Sequence, residues 1–94
     1  MNFQNLKYFL LVAEELNITR AAERLNMSQP PLSNQIRGLE EELGVTVFVR
    51  GKRRLTLTDE GSFLLQRAAQ LLDLEDKTRQ ELTTMKDGIS GTLC

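Results

Sequence analysis

The sequence predicts a mainly α fold: a winged helix-turn-helix of three helices and a two-stranded wing, followed by one long dimerisation helix. Three observations carry that reading. Thr19 to Leu43 reads as a short alanine-rich helix, a tight corner and a longer helix opened by Ser28-Gln29-Pro30-Pro31. Two short β-branched runs flank Gly51-Lys52-Arg53, and Arg50 to Arg54 hold four cations in five residues. From Thr58 to Gly88 no proline breaks the chain, which predicts a helix of roughly 30 residues and about 45 Å at 1.5 Å per residue.

The first helix is expected over about Phe3 to Leu16. Leu6, Phe9, Leu10 and Ala13 recur at i, i+3, i+4 and i+7 and so share one buried face. Asn17 and Ile18 form the break, and Thr19 is the expected N-cap of a second helix through Leu25. Ala21, Ala22 and Leu25 give that helix a narrow inner face, which lets another helix approach closely. Asn26-Met27 makes the turn. Ser28 is the expected cap of the third helix, and Pro30 and Pro31 are tolerated because first-turn N–H groups have no helical partner to lose. Leu32, Ile36, Leu39 and Leu43 point inward at helical spacing, leaving Gln29, Ser33, Asn34 and Arg37 on or near the opposite side. Gly44 ends the helix as a left-handed residue.

Val45 to Arg50 and Arg54 to Thr58 alternate and are β-branched, which predicts the hairpin wing. Thr58-Asp59-Glu60 then supplies a cap and two acids at the positive end of the last helix. Leu64, Leu65, Ala68, Ala69, Leu71, Leu72 and Leu74 make its first half broadly apolar, and Leu82, Met85 and Ile89 continue more sparsely. A small domain cannot cover a helix that long. The sequence therefore asks for a partner, most simply the same helix of a second chain, with Leu65, Ala68 and Leu72 at the interface. The organisation expected is a winged helix-turn-helix unit at 1–58, a linker and dimerisation helix at 59–88, and at 89–94 the start of a linker to a further domain.

Composition narrows the classes. Ninety-four residues with 40% hydrophobic content suit one small domain with a packed core. No apolar run approaches the length of a membrane span and the N-terminus lacks a signal-peptide layout, so no membrane association is expected. One cysteine, at position 94, rules out an intramolecular disulfide. With no histidine beside it, neither a zinc site nor any other cofactor is expected in this stretch, and a reducing cytoplasm is the simplest setting.

The net charge of −1 conceals an asymmetry. Met1 to Leu57 carries eight Lys/Arg against six Glu, leaving +2, whereas Thr58 onward carries four against seven acids, leaving −3. Between Leu43 and Thr58 stand four cations and no acid. The positive potential is local.

A polar-edged helix after a sharp corner is how a helix-turn-helix offers side chains to the major groove, and a cationic wing suits phosphates or a narrow minor groove. Double-stranded DNA is the partner these features indicate. Two other classes stay open: a nucleoid-type binder with little sequence preference, and an interaction module whose long helix is its function. Catalysis is disfavoured, because there is no histidine, no activated cysteine setting and no glycine-rich phosphate loop, and Ser28 and Ser33 lack a base.

Leu6-Lys7-Tyr8-Phe9, Thr19 to Leu25, Ser28 to Ser33, Ile36, Leu39-Glu40, Leu43-Gly44, Phe48-Val49-Arg50, Leu55 to Thr58 and Gly61 form one combined pattern. Together they resemble the N-terminal part of LysR-type transcriptional regulators over about residues 1–88. The resemblance implies a linker helix that pairs antiparallel in a homodimer, with a tetramer as the alternative for a full-length protein. It also implies bacterial gene regulation at an interrupted inverted repeat. A further two-lobed, periplasmic-binding-protein-like domain would sense a small metabolite, and Gly91-Thr92-Leu93 resembles its first strand. The chain is thus expected to be a fragment whose effector binds elsewhere.

Gln29 at the leading edge of the third helix, with Ser33 and Asn34 one turn on, are the candidates for base readout. Pro30 or Pro31 either meets a thymine methyl or only stiffens the helix start. Position 34 is often arginine in the family; Asn34 is shorter and suits adenine N6 and N7, so the preferred base is expected to differ. Thr19 and Ser28 cap helices and so turn backbone N–H groups toward phosphate. Gln35, Arg37, Arg50 and Lys52 are candidates for phosphate. In related proteins the wing tip approaches the minor groove, which makes Arg53 the residue expected to insert and Arg54 its reserve.

Overall fold

Asparagine side chains open the first two helices of the structure, a computed structural model that describes residues 1–88. The linker expected at 89–94 lies outside the described residues. Helix α1, Phe3–Glu15, begins where Asn2 Oδ1 accepts the Asn5 N–H at 2.8 Å. Helix α2, Ile18–Arg24, begins where Asn17 Oδ1 accepts the Arg20 N–H at 3.0 Å. The second finding corrects the expected cap. Thr19 lies inside the first turn of α2, because Asn17 is the stronger capping residue and capping there carries Ile18 into the core.

Leu16 joins the two helices in the left-handed conformation, φ 51°, and its N–H bonds to the Val12 carbonyl at 2.7 Å. The buried face of α1 is Leu6, Phe9, Val12 and Ala13. Val12 takes the place expected for Leu10, which is only half-buried.

Asn26, at φ 54°, turns the chain after α2, and helix α3 follows over Gln29–Leu43. Ser28 occupies the N-cap in extended backbone, yet its side chain makes no capping hydrogen bond. Its contribution to the helix start is therefore the shape of its backbone. Leu32, Ile36 and Leu39 are buried as the spacing predicts, and Gly44 closes the helix at φ 71°. Leu43 departs from the pattern: it is 37% exposed and faces an open apolar cleft beside Val45, Phe63 and Leu71.

The wing pairs β1, Phe48–Arg50, with β2, Leu55–Leu57, antiparallel in the register Phe48↔Leu57, Val49↔Thr56 and Arg50↔Leu55. Both strands are shorter than expected. Val47 has its N–H committed to the Glu40 carboxylate at 2.8 Å, and the Arg54 carbonyl accepts from Gly51 across the loop at 2.9 Å.

Helix α4, Asp59–Gly88, starts at Thr58, whose Oγ1 accepts the Gly61 N–H at 2.9 Å and donates to the Thr46 carbonyl at 2.6 Å. α1 packs across the first half of α4, and one core joins all the elements. Phe9 and Phe48 meet there with ring centroids 5.3 Å apart. Of the residues expected at the interface, that packing takes only Ala68 out of a partner's reach. Ala68 is fully buried within its own chain, and Leu65 and Leu72 lie half-buried against the same core. The large apolar side chains of α4 left exposed among the described residues are Phe63, Leu71, Leu74, Leu82 and Met85. The far half of α4 runs on past this core, and the molecule is 58 Å along its longest axis.

Candidate nucleic-acid interface

Helix α3 presents four distinct sides. Stepping roughly 100° per residue, the buried Leu32, Ile36 and Leu39 define the inner face. Pro30, Asn34 and Arg37 then project outward, and all three are exposed. Gln29, Ser33 and Glu40 fall on the flank toward the wing. Pro31, Gln35 and Glu42 fall on the flank toward α1, where Asn5 Nδ2 donates to Gln35 Oε1 and the terminal amine of Met1 pairs with Glu42.

Two clefts join α3 to the wing. One, of about 220 Å³, is lined by Asn17, Thr19, Gln29, Arg50, Lys52, Arg53 and Arg54. The other, of about 140 Å³, is lined by Ser33, Arg37, Glu40, Phe48 and Arg50. Arg50 is shared between them. Residues distant in sequence are thus gathered on one surface: the start of α2, the start of α3 and the cationic loop 51–54.

No described acid pairs with Arg37, Arg50, Lys52, Arg53 or Arg54. Arg24 contrasts with them. Its Nη1 bonds Glu14 at 2.9 Å and Glu15 at 3.0 Å, and these hydrogen bonds, Glu14 first, raise its pKa above the ordinary value. Arg24 is committed within the chain, whereas the wing cations are available to an external anion.

The site candidates therefore separate. Thr19, Gln29, Arg50, Lys52, Arg53 and Arg54 share the first cleft, and Ser33, Arg37 and Arg50 the second. Pro30 and Asn34 stand on the outward face between. Ser28 is exposed just before the helix start, its hydroxyl making no cap bond. Pro31 and Gln35 lie on the far flank, and Gln35 is engaged with α1. Asn17 and Glu40 also line the site, and sequence reasoning alone does not single them out. Asn17 stands two residues before another good cap, so the two compete in sequence; the partners of Glu40 lie seven and eight residues downstream, beyond any local pattern.

Among the described residues, no group of acids, histidines and cysteines is placed to hold a metal ion, and no helix is long and apolar enough to cross a membrane.

The profile of "Bacterial regulatory helix-turn-helix protein, lysR family" matches residues 3–62. The chain is 44% identical over 94 residues to the HTH-type transcriptional regulator BsdA of Bacillus subtilis (strain 168), covering 99% of this chain and 32% of that protein. It is 43% identical over 93 residues to the regulator ClcR of Pseudomonas putida, with the same coverage of each, 99% and 32%. The chain thus spans about a third of the length of these relatives. Among solved structures, it is similar to a BenM DNA-binding domain in complex with catB site 1 DNA. That match has a TM-score of 0.91, 40% identity and coverage of 98% of this chain and 99% of that one. A CbnR DNA-binding domain complexed with DNA gives a TM-score of 0.88 at 38% identity, covering 92% and 99%.

Proposed function

The chain belongs to the lysR family of bacterial regulatory helix-turn-helix proteins, and from that premise we propose that it binds an interrupted inverted repeat of double-stranded DNA as a dimer. The observation that carries the proposal is the single surface formed by the outward face of α3, the start of α2 and the unpaired wing cations. Pro30, Asn34 and Arg37 would enter the major groove, flanked by Gln29 and Ser33. Lys52 and Arg50 would take phosphates, with Arg53, backed by Arg54, reaching the adjacent minor groove. Ser28 and Thr19, at the starts of α3 and α2, would meet the backbone between them.

Dimerisation is supported by the exposed Leu74, Leu82 and Met85, which one chain leaves without cover. A second observation supports the same pairing. Tyr8, Leu10, Leu11, Leu25 and Leu72 line an open groove of about 640 Å³ between α1 and α4, suited to the far end of a partner's α4. An antiparallel pair would set two recognition helices on one face of the duplex. In a longer regulator, a separate domain would bind the small-molecule effector.

The test is the affinity of the purified chain for a palindrome selected from random duplexes, set against its affinity for random DNA. A ratio of at least about 10³ is expected. A ratio near one would replace this reading with a nucleoid-type binder.

A further inference from the structure

We propose that Glu40 is a positioning residue for DNA binding: its carboxylate holds the wing at a fixed distance from α3 and so aims the wing cations. The inference rests on the DNA-binding reading above. Glu40 Oε2 accepts the N–H of Val47 at 2.8 Å and of Phe48 at 3.3 Å, the residue before β1 and its first residue. Its own carbonyl accepts the N–H of Gly44 at 2.8 Å and of Val45 at 3.2 Å. One residue of α3 therefore takes four backbone donors along the path from helix to wing.

The charge of Glu40 argues for this role rather than for a contact with DNA. It lines the cleft that also holds Ser33, Arg37 and Arg50. A carboxylate so close to a phosphate-binding surface opposes the approach of a polyanion. Amide donors bond most strongly to an ionised acceptor, which gives the carboxylate a structural reason to stand there. The other anchors of the wing hold its base to α1 and α4: the Leu55 N–H bonds the Leu16 carbonyl at 2.9 Å, and the Thr58 N–H bonds the Val47 carbonyl at 3.1 Å. Among these described anchors, Glu40 alone ties the wing to α3.

Electrostatics and positioning predict opposite signs. Removing a negative charge near DNA raises affinity if charge is all that matters. A wing that no longer aims its cations lowers it, by about fivefold at 0.15 M salt for each phosphate left unmet, and flattens the salt slope by about one unit per phosphate. The experiment measures operator affinity by fluorescence anisotropy at several salt concentrations for the parent, Glu40→Ala and Glu40→Gln. Each is also made in a Lys52→Ala/Arg53→Ala background, and all are assayed at a temperature where circular dichroism shows them folded. Glu40→Asp, which keeps the charge but shortens the reach, replaces Glu40→Ala if the latter does not fold. Expected are weaker binding and a flatter slope for Glu40→Ala, binding at least as tight as the parent's for Glu40→Gln, which keeps an acceptor and sheds the charge, and little further weakening by Glu40→Ala in the background lacking the wing cations. Binding by Glu40→Ala as tight as the parent's overturns the proposal. So does an equal drop in both backgrounds, which would mark a general loss of structure. A parent that binds neither operator nor random duplex overturns the DNA-binding reading first, and this inference with it.

Discussion

Gly61 packs directly against the carbonyl oxygen of Val47. A Cβ at position 61 would fall well inside van der Waals contact with that oxygen, 3.0 Å from its carbon and 2.9 Å from Leu57 Cδ2. The first turn of α4 and the base of the wing meet at this point, and the Gly61 N–H is bonded to Thr58 Oγ1. Gly61→Ala is expected to destabilise the domain by about 1–3 kcal/mol through forced backbone movement. The gain in helix propensity, under about 1 kcal/mol, would not offset it. Gly38→Ala is the control, because a Cβ there meets nothing within 4 Å. It should raise the melting temperature slightly while Gly61→Ala lowers it, at matched chain concentration.

Wing and recognition helix should separate in binding assays. Lys52→Ala is expected to weaken operator and random DNA alike, by about fivefold at 0.15 M salt for one phosphate, with a flatter salt slope. Gln29→Ala and Asn34→Ala should instead alter the preferred base at one position in each half-site, by about 1–3 kcal/mol for a good bidentate contact. Affinity selections on the three variants check this, and parallel losses on every sequence would refute the division of labour.

The exposed end of α4 should govern assembly. Leu82 and Met85 are 59% and 55% exposed, whereas Ala68 is taken up by the chain's own core. Leu82→Glu is therefore expected to shift sedimentation toward monomer without lowering the melting temperature of the winged unit. A charge at Ala68 should unfold the domain instead. A parent that sediments as monomer while binding operator tightly would refute the paired-helix arrangement.

Half-site spacing should be fixed. Two recognition helices on a rigid antiparallel pair are expected to contact sites about 34 Å apart, one helical turn. Inserting five base pairs turns one half-site by roughly half a revolution, and affinity should fall toward that of a single half-site. Retention of full affinity in a gel-shift titration would indicate a flexible or monomeric reader.

What the sequence made legible was local. Helical spacing located Leu6, Phe9, Leu32, Ile36 and Leu39 in the core, and Gly44 and Thr58 marked the end of one helix and the start of another. Expectation and structure part where two local signals compete or a long-range partner decides. Asn17 prevails over Thr19 as a cap. Leu43 keeps the helical period, but the period does not record that the packed interior ends at Leu39. Ala68 has the size of a partner-facing small residue, and the chain's own core encloses it. The clefts that unite Gln29 with Lys52, and Ser33 with Arg50, depend on how the wing folds back on α3, which no spacing encodes.

The loop from Gly51 to Arg54 is exposed throughout and closed by one backbone hydrogen bond across it. Its base is bound to three helices, but its tip supports no packed side chain. Substitution at Lys52 or Arg53, or lengthening between them, therefore carries little folding penalty, whereas a Cβ at Gly51 would meet the Arg54 carbonyl oxygen at 2.7 Å. The wing tip is the part of this surface that natural variation or an engineer can rewrite most freely. Under the proposed binding mode, residues inserted between Lys52 and Arg53 are expected to retune the flanking-groove preference while Gln29, Ser33 and Asn34 keep their places.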